Sequence, residues 1–136
     1  MIKELRQSFF QVFTLSLLWV ALLLTLFYQG ETVRVSLLWN AAGIAGIAAV
    51  VFGVMYNALW NHLTLKPFWN IAISSTLNII GSMAAVWLFS KEMFELIAPW
   101  FPGMWLLSIA LHVIGFYFYA RIDSRKKAEE LNKILK

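Results

Sequence analysis

The chain has 136 residues, of which 61% are hydrophobic and 13% charged, against roughly 45–50% and about 25% in an ordinary globular domain. A core of this size cannot hide so many apolar side chains from water, so lipid must be the solvent for most of the sequence, and most soluble enzyme classes are excluded. The net charge of +4 would suit a nucleic-acid binder on its own, but the placement of the charges points elsewhere. Cysteine is absent, which removes disulfides, thiolate metal sites and thiol nucleophiles.

Four apolar runs follow in chain order. The first covers residues 8–28. Lys3 and Arg6 precede it as in a signal peptide, but the run is too long, and Tyr28-Gln29-Gly30 is no small-x-small cleavage site. It reads as a permanent span. The second covers 36–60 and is rich in Ala, Gly and Val; the third, 68–90, follows Pro67; the fourth, 101–120, starts past Pro99 and beside Pro102. Each has about 20 residues or more, enough for a helix to cross a hydrocarbon layer of roughly 30 Å. The expected fold is an all-α membrane protein. A four-transmembrane-helix bundle takes up residues 1–120, and a basic tail, 121–136, forms a short amphipathic cytoplasmic helix.

Charge sets the orientation. With four spans, Lys3, Arg6, Lys66, Arg121, Arg125, Lys126, Lys127, Lys133 and Lys136 share one side, and Arg34 and Lys91 the other. Nine of 11 basic residues thus lie on one face, which marks it as cytoplasmic and places both termini inside, as for a multi-pass protein of a bacterial inner membrane. Trp39, Trp87, Trp100 and Trp105 then fall near the outer boundary, and Trp60, Trp69, Tyr56, Tyr117 and Tyr119 near the inner one. Rings with one apolar and one wet side belong there. Trp19 alone falls deep inside a span.

Helices in lipid associate through close packing and polar contacts. The second span carries Ala41, Ala45, Ala49 and Gly53 at every fourth residue, with Ala42 and Gly46 beside them, and Asn57 and Asn61 prolong the stripe. Such a surface lets another helix approach closely, within the chain or in a dimer. The third span carries Asn70, Ser74, Asn78 and Ser82 at the same spacing. These amides and hydroxyls are costly in hydrocarbon unless paired, so they should face each other or the bundle interior. They are either structural glue or the lining of a polar cavity.

His112 is the one ionisable side chain deep in a span; Glu4, Glu31, Glu92, Glu95, Asp123, Glu129 and Glu130 all fall in loops or tails. Proton-driven exchangers usually need an intramembrane carboxylate or relay. A lone histidine is more often a neutral group hydrogen-bonded to a neighbouring helix, although it can titrate near neutrality. No HExxH, glycine-rich phosphate loop or Ser-His-carboxylate set is present. The sequence therefore predicts no catalytic residues, no metal and no organic cofactor, with His112 and Asn61 as the candidate functional polar groups.

In the tail, Ala128, Leu131, Ile134 and Leu135 recur at helical spacing, with charges on the other sides. This helix either continues the fourth span or bends onto the membrane. Its basic residues suit lipid phosphates, which argues against direct nucleic-acid binding. Leu131, Ile134 and Leu135 are the candidate docking residues for a cytoplasmic protein.

The stretch LLWNAAGIAGIAAVVFGVMYN in the second span, the connection HLTLKPFW and the ending SRKKAEELNKILK resemble small four-span membrane proteins of bacterial LytTR regulatory systems. Asn70 or Ser74 stands where a histidine is associated with that family's third span. This resemblance implies a membrane partner that restrains a LytTR-type transcription factor. Tyr56-Asn57-Ala58-Leu59-Trp60-Asn61, with Arg6 and Ile122-Asp123, is similar to a motif of the proteobacterial antimicrobial-compound efflux family. There the resemblance implies transport, but Thr14 and Ser75 occupy the places of the intramembrane acids. A third reading is an accessory subunit of a larger membrane complex.

Overall fold

The computed structural model describes the whole chain except Gly30, Glu31, Val33, Leu135 and Lys136, and only the backbone of Ile134. It is all-α, built on four helices long and apolar enough to cross a membrane. Helix α1 covers Ile2–Phe27, α2 covers Val35–His62 and α3 covers Pro67–Phe89. A short α4, Lys91–Ile97, leads through one tight turn, Ala98–Trp100, into α5, Phe101–Ile134. The helices run up and down, with α1 packed on α2, α2 on α3 and α3 on α5.

Several boundaries differ from those read in the sequence. Helix α1 begins at Ile2 rather than residue 8, because Lys3, Glu4, Leu5, Arg6 and Gln7 are good helix formers. A helix does not have to end where its apolar run does. Helix α4 has a local cause that the apolar pattern hides. Ser90 caps it, its Oγ accepting the Met93 N–H at 3.3 Å, and Glu92 sits in the first turn. Pro67 occupies the first turn of α3, where a missing N–H costs nothing. The tail is no separate helix. Among its two expected arrangements the structure has the continuous one, stiffened by Ser124 Oγ donating to the Ala120 carbonyl at 2.8 Å and by the Asp123–Lys127 ion pair at 2.7 Å. That carboxylate holds the Lys127 ammonium above its ordinary pKa.

The second half of α2 departs further. From Ala49 to Tyr56 and again from Ala58 to His62 the backbone is π-helical, ending in an i→i−5 bond from Leu63 N–H to Ala58 O at 2.9 Å. On an ordinary helix a four-residue repeat drifts by about 40° per step. Wider turns reverse that drift. Ala41, Ala45, Ala49 and Gly53 are accordingly all buried, and a Cβ on Gly53 would lie 2.9 Å from both Phe9 Cα and Ser8 O. Helix α1 therefore rests directly on Gly53. On α3, which has no such widening, the drift is not corrected, and Ser82 at the end of its row is exposed. The packed polar line of α3 stops at Asn78, which corrects the four-residue face expected from the sequence.

Close approach recurs between α2 and α3. A Cβ on Gly81 would meet Val51 Cγ2 at 2.9 Å, one on Gly43 would meet Leu88 Cδ1 at 3.2 Å, and Asn40 Nδ2 donates to the Leu88 carbonyl at 3.0 Å. Val20, Leu24, Ala41 and Ile44 form the buried apolar cluster at this end. At the opposite end, His62 Nε2 lies 3.4 Å from Glu4 Oε2, where the end of α2 sits beside the start of α1.

Candidate functional site

The polar residues converge where α2, α3 and α5 meet. His112 projects from α5 toward α2, and its Nε2 is hydrogen-bonded with the hydroxyl of Tyr56. Its Nδ1 lies 2.6 Å from the Ser108 carbonyl, one turn back in the same helix. A carbonyl can only accept, so Nδ1 carries a proton and donates it to Ser108. The Tyr56 hydroxyl also reaches the Ser74 carbonyl of α3 at 3.1 Å. Ser74 Oγ in turn donates to the Asn70 carbonyl, and Asn78 Nδ2 donates to Ser108 Oγ at 3.4 Å. One ring and one phenol thus join three helices.

Beside the joint lies an open groove of about 590 Å³. Its floor is the π-helical part of α2, with Phe52, Tyr56, Asn57, Trp60 and Asn61, and its walls are Ser8 of α1 and Leu111, His112, Gly115 and Tyr119 of α5. Nothing lies within 4 Å of a Cβ built on Gly115, so its missing side chain widens the wall. Trp60 packs edge-on against Tyr119, with ring centroids 5.5 Å apart. Its Nε1 is buried without a hydrogen-bond partner. Such a lining, mostly apolar with a few fixed polar groups, suits an amphipathic small molecule.

The predicted residues divide between these features. Asn57 and Asn61 sit at the groove, where Asn61 Nδ2 donates to Asn57 Oδ1 at 3.0 Å. Asn70 is 6% exposed; its Nδ2 reaches the Leu59 carbonyl at 3.5 Å, while its Oδ1 has no partner. Ser74 is fully buried, and Asn78 bridges to α5. Leu131 is exposed on the extension of α5; the side chain of Ile134 and all of Leu135 lie outside the described residues. Tyr56 and Ser108 were not singled out as site residues. Tyr56 reads as a boundary aromatic, and only the four-residue step from Ser108 to His112 signals that pair. Among the described residues no three His, Cys, Asp or Glu side chains come together.

Replacing Tyr56 by Phe removes the hydroxyl and keeps the ring. It should cost about 0.6 kcal/mol, the mean for hydrogen bonds between helices in lipid, and at most about 1.7 kcal/mol. After His112→Ala the same change should cost nearly nothing, and a double-mutant cycle on unfolding in mild detergent measures the difference.

Four helices of this length and composition, joined by short connections, define the class: an all-α, multi-pass membrane-type bundle. Comparison of the chain with protein-family models, curated proteins and solved structures finds no match.

Proposed function

We propose that this chain is an integral membrane regulatory protein that restrains a cytoplasmic LytTR-type transcription factor by direct contact. In this reading both termini are cytoplasmic, which the nine basic residues on one side support. The observation that carries it is the continuity of α5. Its 34 residues give a helix about 50 Å long, some 20 Å more than the hydrocarbon layer. One rigid element therefore runs from the His112 joint and the groove wall to the exposed Leu131. An occupant of the groove that prefers one position of α5 would shift the tail with it, which is the differential affinity a ligand-driven switch requires.

The groove also favours a second reading, a small efflux-type transporter. Thr14, at the place of that family's acid, is exposed on the outer side of α1 and does not line the groove. Regulation is therefore the stronger reading. A chain shortened to end at Arg125 keeps all four apolar lengths and loses Leu131. In cells carrying the regulator and its reporter gene, the full chain should lower reporter output severalfold and the shortened one should not, at equal membrane levels. Equal repression by both would remove the proposal.

A further inference from the structure

Helix α1 is polar on its outward side. Gln7, Gln11, Thr14, Leu18, Ala21 and Thr25 succeed one another in alternating steps of four and three residues, and all six are exposed. Steps of four and three keep these residues together on one face of the helix. The opposite side holds the buried Val20 and Leu24 and the backbone on which Gly53 rests. The polar residues thus face away from their own bundle. Taking the rise of the helix, Gln11 lies about 7 Å and Thr14 about 12 Å past Arg6, at depths where lipid chains supply no hydrogen bonds. Thr25 satisfies its hydroxyl on the Ala21 carbonyl at 2.8 Å. Among the described residues, no side-chain hydrogen bond involves Gln7, Gln11 or Thr14.

We propose that this face is the seam of a parallel homodimer in which α1 packs against α1 of a second copy. A two-fold axis sets each residue opposite itself. An amide donates and accepts, so Gln7 and Gln11 can pair with their own counterparts, and the Thr14 hydroxyls can do the same. Leu18 and the small Ala21 continue the seam in apolar form. All copies insert the same way because of their charge bias, so the two α1 helices are parallel. Lys3 and Arg6 sit at the end of the seam, where water and lipid phosphates offset their repulsion.

Because the chain has no cysteine, single cysteines can be placed without other changes. Thr14→Cys and Leu18→Cys should cross-link on mild oxidation in native membranes, about fivefold or more above Trp19→Cys and Leu26→Cys, since a disulfide needs Cβ atoms within about 4.5 Å. The two controls lie on the flank of α1 and are also exposed, at 61% and 58%. Gln7→Leu combined with Gln11→Leu should weaken dimerisation about tenfold in a lipid-dilution series. Absence of cross-links at both seam positions, or equal cross-linking at the flank, would overturn the proposal. So would a double leucine variant that dimerises as well as the native chain.

Discussion

Gly53→Leu should strongly destabilise the folded bundle, whereas Gly46→Ala should leave it intact or slightly more stable. At Gly53 the first added carbon already meets Phe9 Cα and Ser8 O at 2.9 Å, both of them backbone atoms. No rotamer of a neighbouring side chain can relieve that contact, so α1 must move outward as a body and give up its packing on α2. Overpacking a tight contact costs about 1–3 kcal/mol, and the larger side chain adds to this. Total stabilities are only about 5–15 kcal/mol. Gly46 has nothing within 4 Å of its Cβ position, and alanine is the better helix former by roughly 1 kcal/mol. Thermal loss of the monodisperse peak in detergent measures both. Similar behaviour of the two variants would mean that α1 does not sit on Gly53.

This contact also shows what the sequence discloses and what it conceals. Four spans were legible because each is a run of apolar residues longer than a soluble core helix needs, and no other solvent suits them. The burial of Ala41, Ala45, Ala49 and Gly53 matches a close-packed stripe, yet for a reason that a 3.6-residue period does not contain: α2 widens at Ala49. The same four-residue rule applied to α3 put Ser82 on the packed face, and the structure exposes it. The sequence left open whether the tail continues the fourth span or bends onto the membrane, and the structure has the continuous form. Past Pro102 the sequence holds no proline, and past Gly115 no glycine, to stop the helix. The His112–Tyr56 joint was not readable. Its members are 56 residues apart, and boundary position explains a tyrosine as readily as a hydrogen bond does. His112 was expected to bond to a neighbouring helix, but nothing in the pattern named the partner.

The regulatory account rests on the α5 extension, and Leu131 is the residue on which it turns. This side chain is 61% exposed, so it contributes little to the bundle itself, and the apolar lengths of all four helices are unaffected by its loss. If the extension docks a LytTR-type regulator, Leu131 should be buried in the contact. Fully burying a leucine is worth about 1.5–3 kcal/mol, and each 1.4 kcal/mol is about tenfold in affinity. Leu131→Ser should therefore weaken the complex by roughly ten- to a hundredfold. The direct measurement is a titration of the purified regulator against the full chain in lipid nanodiscs, native and Leu131→Ser side by side. The account predicts saturable binding to the native chain and a dissociation constant at least about tenfold higher for the variant. Equal binding by both chains, or none by the native one, would contradict it.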